Sequence, residues 1–367
     1  MEKINLIFFI PRFILGGEGK SITSLCKNID KKKFNISIIC MRRCFYKKEL
    51  GKFCKIYELP INRALFAQNK IKDIIKKTID GSKKNIFISS LFYSNALSAI
   101  FQKKYKNLKF LFMERTAFKE LYGYFGFNDF VKKNIIKIIL KLFYKKADIV
   151  IANSKKVAAE IKNFSNVNAT HIYPGSFNKV LKEKKDINNP LKIISIGRLT
   201  EEKGFDILID GIKNIDKNKY NLSIIGDGYL KQKIYDLIKK NGLENNVKLL
   251  GQKKKVMKYI MKSDLLINPS YFEGFPNVVI EALTCATPII CSKSHGGVYE
   301  ILRNQKYGDL FENGNPKSLE IKINQFIKNP KRLIRKSKKG QLDLERFSQK
   351  ISAKKYENVF LNLWKSL

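Results

Sequence analysis

The sequence predicts an α/β protein built from two parallel-sheet domains in series. Three observations carry that reading. Short β-branched runs alternate with amphipathic stretches along almost the whole chain, the pattern of a parallel sheet covered on both faces. The alternation stops once, at the polar segment NKVLKEKKDINNP (178–190), and then restarts. A chain of 367 residues also exceeds the size at which one core keeps growing.

The first strand falls in MEKINLIFFIP, over 4–10, where a short apolar run is closed by Pro11. It reads as a first buried strand, and no signal peptide is expected at this end. Further strands are predicted at 35–41, 55–59, 86–90, 109–114, 148–152 and 170–173, with helices at 18–29, 69–79, 94–104, 129–146 and 154–163. Pro190 ends the polar segment, which reads as an interdomain linker. Strand 191–197, helix 203–215, strand 220–225, helix 229–241, strand 247–250, helix 254–262, strand 264–268, helix 276–286 and strand 288–291 follow. Charged helices finish the chain. The expected division is 1–177, linker 178–190, a second domain over 191–347 and a terminal helix within 348–367.

At 44% hydrophobic residues the chain is globular rather than disordered. Six cysteines without a CxxC spacing and only two histidines, His171 and His295, argue against a zinc site. Reduced thiols in a cytoplasmic protein are the plainest expectation. No run reaches the ~18 apolar residues that a membrane span needs, so a soluble or peripheral protein is expected. The formal net charge is +40. Lysines are spread over nearly every segment, with no arginine-rich recognition helix, so no specific nucleic acid is expected. Coding bias toward lysine explains the charge more simply than an anionic partner.

Two glutamates, Glu273 and Glu281, flank a Gly-Phe-Pro turn in EGFPNVVIE (273–281). Pro276 suits the first position of a helix, where its missing N–H would be unpaired anyway. Glu281 would then project from the second turn. A strand, a turn and a helix start, with Gly274, Phe275, Pro276 and Asn277 between the carboxylates, favour an anion with hydroxyls on either side. A nucleotide sugar has that chemistry. Arg198 and Lys203 lie between a strand end and the next helix, where open parallel sheets bind ligands. Arg198 offers a planar fork and Lys203 a point charge for phosphate oxygens. Gly226-Asp227-Gly228 reads first as a tight turn, and His295-Gly296-Gly297 as another.

GGEGKS (16–21) imitates a phosphate-binding P-loop, but position 14 is Ile14 where that motif needs glycine. Gly17 belongs either to an ordinary strand–helix turn or to a turn that lets a substrate approach bare backbone. Glu114-Arg115-Thr116 ends the strand 109–114. It reads equally as an acceptor-facing group or as a buried ion pair. Helix 129–146 carries Lys133, Lys137, Lys141 and Lys145 along one side and aliphatic residues along another. An anionic membrane surface is one partner for such a helix. Packing of the aliphatic side on the sheet is the plainer reading.

The E-x7-E segment resembles that of the family 4 glycosyltransferases, retaining enzymes of the GT-B fold. Other pieces resemble that family in the same order: IPRFILGGEGKS (10–21), KKADIVIANSK (145–155), ISIGRLTEEKGFDILI (194–209), LSIIGDGYL (222–230), VKLLGQ (247–252) and SHGGVYEI (294–301). The resemblance implies two Rossmann-like domains facing a cleft, an N-terminal acceptor domain and a C-terminal nucleotide-sugar domain. It also implies a terminal helix returning to the first domain. It implies Arg198, Lys203 and Glu273 as catalytic residues, with Arg198 and Lys203 on the donor diphosphate. Gly17, Gly226, Gly228, Gly274, Phe275, Pro276, Asn277 and Glu281 would bind donor, Glu281 through the ribose. Glu114, Arg115 and Thr116 would lie on the acceptor or sugar side, where many members carry a histidine that this chain lacks. The implied reaction is a retaining, metal-independent transfer without cofactor, from a UDP-sugar rather than a GDP-sugar. The implied acceptor is a glycan, lipid-linked, in surface polysaccharide or glycoconjugate synthesis at the inner face of the cytoplasmic membrane. A GT-B sugar-nucleotide epimerase and a basic nucleic-acid-binding module are the alternatives.

Overall fold

The structure, a computed structural model, describes residues 2–61, 64–79, 84–99, 105–123, 126–181 and 187–364. Its chain divides into two compact units, Met1–Ser176 with Phe347–Leu367, and Phe177–Arg346. Residues 182–186 of the predicted linker and 100–104 of a predicted helix lie outside the described residues.

The first unit is a parallel sheet of β1 (Ile4–Phe9), β2 (Phe34–Met41), β3 (Cys54–Leu59), β4 (Asn85–Ser90), β5 (Leu108–Glu114), β6 (Ile149–Ala152) and β7 (Thr170–His171). Their order is β3-β2-β1-β4-β5-β6-β7. Successive side chains of a strand point to opposite faces, and β1 feeds two cores accordingly. Leu6 and Phe8 join one layer with Ile22, Leu25 and Phe360. Ile7 and Phe9 join the other with Ile71, Phe87 and Leu140.

The terminal helix Gln349–Asn362 packs on this first unit, as the resemblance implied. Ser348 starts it, its hydroxyl accepting from the Ile351 N–H at 3.1 Å. Phe360 meets Phe34 edge-on at 5.8 Å between ring centroids. Glu357 accepts from the Asp30 N–H at 2.7 Å, and Ser352 donates to the Tyr173 carbonyl at 2.8 Å. Apolar contact and paired backbone groups together fix the helix there.

The second unit holds β8 (Leu191–Ile196), β9 (Tyr220–Ile225), β10 (Val247–Leu249), β11 (Leu265–Asn268), β12 (Ile289–Ser292) and β13 (Asp309–Phe311). They run parallel in the order β10-β9-β8-β11-β12-β13. β13 is the strand the sequence reading did not predict. It opens on a charged residue, Asp309, which pairs with Arg332 and Lys336, and only Leu310 and Phe311 of it are apolar.

The predicted helix 129–146 runs instead over Phe127–Phe143. It buries Ile136 and Leu140 but leaves Ile135, Ile138 and Leu142 exposed. The expectation that its aliphatic side packs on the sheet therefore holds for only part of that side. Lys133, expected on the basic face, points inward. It pairs with Asp129 at 2.8 Å and donates to the Gly123 carbonyl at 2.6 Å.

Candidate active site

Four turns meet at the carboxyl ends of the second unit's central strands. β8 runs into Gly197–Gly204, β9 into Gly226–Gly228, β11 into Pro269–Pro276 and β12 into Lys293–Gly297. Backbone hydrogen bonds lock them together. Gly197 donates to Ile225 O at 3.0 Å, Leu199 to Asp227 O at 3.0 Å and Tyr271 to Glu202 O at 2.9 Å. Glu273 donates to His295 O at 3.1 Å, and Gly297 to Gly274 O at 2.8 Å.

The glycines are used mainly for this close approach. A Cβ at Gly226 would lie 1.7 Å from the Gly197 carbonyl oxygen. One at Gly296 would lie 1.6 Å from the Glu273 carbonyl oxygen, at a φ of +115° that side chains rarely adopt. Gly228 likewise packs on the Leu199 carbonyl. Of the predicted donor glycines, Gly226 and Gly228 thus have a packing reason of their own, turn against turn.

Lys203 and Glu273, 70 residues apart in sequence, meet directly. The Lys203 ammonium lies 2.7 Å from Glu273 Oε1, with both side chains mostly buried. The Ser270 hydroxyl donates to the same oxygen at 2.9 Å. Two donors on one carboxylate oxygen fix its orientation. Ser270 is buried and was not foreseen; PSYF carries no spacing that would single out its serine. Glu273 is also close enough to push the buried Cys291 thiol up, second in effect to burial.

Arg198 is more exposed and is held through Glu202, whose Oε1 accepts from its Nη2 at 3.0 Å. Glu202 was likewise missed, although its i+4 spacing from Arg198 was visible. Gly274, Phe275 and Pro276 are buried, and Asn277 is half-buried. Pro276 stands just before the helix rather than in its first position, with ψ at 94°, and the helix runs Asn277–Thr284. That is one residue later than expected and leaves the helix-start argument for an anion intact. Glu281 falls in the second turn, half-buried.

The remaining predicted residues lie in the first unit. Gly17 opens the helix Gly17–Asn28. Glu18, next to it, accepts a short hydrogen bond from Ser90 at the end of β4. Glu114, at the end of β5, has no exposed surface. Its Oε1 accepts short hydrogen bonds from Asn95 and Tyr144, while Oε2 is buried without a hydrogen-bond partner among the described residues. Burial pushes this carboxyl up to about 8, the Tyr144 and Asn95 hydrogen bonds oppose that, and the charge of Glu18 adds to it. At neutral pH the group is chiefly protonated. The buried Arg115–Glu114 pair considered from sequence is replaced by this neutral network. Arg115 instead lies beside Tyr356, and its carbonyl accepts from Asn153 at 2.7 Å. Thr116 follows, half-buried. Glu18 sits inside the P-loop look-alike, between Gly17 and Gly19.

No group of three or more His, Cys, Asp or Glu suited to a metal occurs among the described residues. Their helices include none long and apolar enough to cross a membrane.

The chain is similar to known proteins in part of its sequence and in its fold. Residues 177–342 match the family described as glycosyl transferases group 1. An uncharacterised glycosyltransferase of Methanocaldococcus jannaschii is 36% identical over 195 residues, which are 48% of this chain and 47% of that protein. This chain's match thus spans about half the length of that relative (47%). A Campylobacter jejuni N-acetylgalactosamine-N,N'-diacetylbacillosaminyl-diphospho-undecaprenol 4-alpha-N-acetylgalactosaminyltransferase is 29% identical, covering 70% of this chain and 69% of that protein. The crystal structure of Anabaena HepE in complex with UDP and glucose superposes with a TM-score of 0.80 at 18% identity, over 98% of this chain and all of that one. The match to the glycosyl transferases group 1 family falls within the second unit, and the chain's two parallel-sheet units have the GT-B fold.

Proposed function

We propose that the chain moves a sugar from a nucleotide donor, a UDP-sugar rather than a GDP-sugar, to a hydroxyl of a lipid-linked glycan, retaining the anomeric configuration. The observation that carries this reading is the Lys203–Glu273 pair at 2.7 Å, set on the turns after β8 and β11 beside a helix start. Glu273 and the 274–276 backbone hold the sugar's hydroxyls, and Glu281 holds the ribose. Arg198, Lys203 and the N–H groups opening helix Asn277–Thr284 stabilise charge growing on the departing diphosphate. Lys203 suits that role because Glu273 already fixes it in place, so little reorganisation is needed during the reaction. The departing diphosphate takes the acceptor's proton. No metal ion is required. Arg115 and Thr116 serve the acceptor or sugar side, while Glu114, wholly buried, stays in its network with Asn95 and Tyr144.

Two relatives support the finer parts. HepE was solved with UDP and glucose. The Campylobacter relative is named for adding N-acetylgalactosamine to a diphospho-undecaprenol glycan, which favours a hexosyl or N-acetylhexosaminyl donor and a lipid-linked acceptor here.

Incubation with a panel of labelled nucleotide sugars, with and without bacterial lipid extract, tests the proposal. Transfer predicts nucleotide release that depends on the extract. A donor isomerised without extract would make the protein an epimerase instead. No change in any donor, together with salt-sensitive nucleic-acid binding, would favour a binding module.

A further inference from the structure

The helix Phe127–Phe143 carries an apolar face that the fold does not use. Phe127 is 79% exposed, Ile138 61% and Leu142 62%, with Val131 and Ile135 also exposed. At ~100° per residue these five fall within an arc of about 80°. Lys133, Ile136 and Leu140, the buried residues, lie on the opposite side. The helix is thus anchored on its own unit by one face and presents a second apolar stripe outward. A globular helix normally has only the first of these.

Lysines border the stripe. Lys132 lies on one flank, Lys137 and Lys141 on the other. Lys132 stands over the Tyr93 ring at 4.2 Å and Lys137 over the Tyr122 ring at 4.5 Å, and both tyrosines are exposed. From 118 to 146 there are seven lysines and two acids, Glu120 and Asp129. Asp129 is turned inward onto Lys133 at 2.8 Å.

We propose that the helix Phe127–Phe143 docks this unit on the surface of an anionic lipid bilayer, with its stripe at the acyl boundary and its lysines on headgroup phosphates. Charge complementarity selects that occupant. A second copy of the chain would bring lysine rims against lysine rims, which is repulsive. A neutral surface would leave the lysines without counterparts. An interfacial helix needs an apolar face, a basic border and aromatic residues at the edge, and all three are present. The inference stands on this surface alone and goes beyond the proposed transfer reaction.

The test is co-sedimentation of the full chain with phosphatidylglycerol–phosphatidylcholine vesicles and with pure phosphatidylcholine vesicles. Binding to the anionic vesicles is expected, weakened by salt. A chain of net charge +40 would adsorb to them through any face, so the decisive variant leaves charge unchanged. Ile135→Ser with Ile138→Ser and Leu142→Ser should lower anionic-vesicle affinity by roughly tenfold or more without lowering the melting temperature. Lys132→Gln with Lys141→Gln should cost roughly fivefold per lysine on anionic vesicles only. Ile138→Trp in a Trp364→Phe background should shift its emission to the blue on those vesicles. The proposal is overturned if the triple serine variant binds as tightly as wild type. It is also overturned if wild type ignores anionic vesicles at low salt, or if the stripe instead holds a dimer that the serines dissolve. Nucleotide binding belongs to the second unit in the proposed reaction, so UDP affinity should be unchanged in all these variants. The two proposals can thus fail separately.

Discussion

Replacing Glu114 by glutamine should remove a pH dependence built into the first unit. Glu114 is wholly buried, and burial holds its carboxyl at about 8 against an ordinary 4.5. Between those values the folded chain keeps a proton that the unfolded chain has released. Stability linked to this group is therefore fully present below about pH 4.5 and is lost as pH rises toward 8. The gap is 8 − 4.5, or about 3.5 units. At ~1.36 kcal/mol per unit the loss is on the order of 5 kcal/mol. Glutamine has nearly the same shape, keeps an oxygen for Tyr144 and Asn95, and has no charge to bury. Both proteins would be melted from about pH 5 to about pH 9. Fluorescence of Trp364, the sole tryptophan, reports on the first unit. The two should melt together near pH 5, and the glutamine variant should melt several degrees higher near pH 9. A melting difference that stays constant across that range would refute the reasoning, because it would mean the carboxyl does not change its charge there.

The proposed site yields three further expectations. Glu281→Ala should weaken UDP binding at least tenfold by calorimetric titration, since a charge-assisted hydrogen bond contributes ~1.5–3 kcal/mol; unchanged affinity would remove Glu281 from the ribose. Arg198→Ala should lower turnover more than it weakens donor binding, and a chelator should change little; a strict magnesium requirement would transfer that role to a metal. Gly296→Ala should cost more than ~3 kcal/mol, because its Cβ would meet the Glu273 carbonyl oxygen at 1.6 Å. A melt of the second unit unchanged from wild type would mean the turn can yield.

Both sheets were legible because alternation is written locally. Most strands from β1 to β12 are short apolar runs next to an amphipathic stretch, whereas β13 opens on Asp309 and offers only Leu310 and Phe311 as an apolar run. Which side of an apolar helix faces the core is not local. Ile135, Ile136, Ile138 and Ile139 wrap much of the helix Phe127–Phe143, and only the packing decides that Ile136 goes in and Ile138 out. The site shows the same limit. The E-x7-E spacing marked Glu273, but its partner Lys203 is 70 residues away and Ser270 has no motif. Glu114 was recognised as unusual, yet its burial depends on Asn95 and Tyr144, which are distant in sequence and brought in by two helices.

The central claim is that the Lys203–Glu273 pair sits where the sugar leaves its diphosphate. The most direct measurement is acceptor-dependent UDP release by wild type, Lys203→Ala and Glu273→Gln, with UDP binding measured alongside. The wild type should release UDP only when donor and lipid extract are both present. Each variant should lose roughly a hundredfold or more in turnover, about 2.7 kcal/mol of transition-state stabilisation, while binding UDP within a few fold of wild type. Turnover near the wild-type rate in either variant would contradict the claim and make the pair a structural contact between two turns.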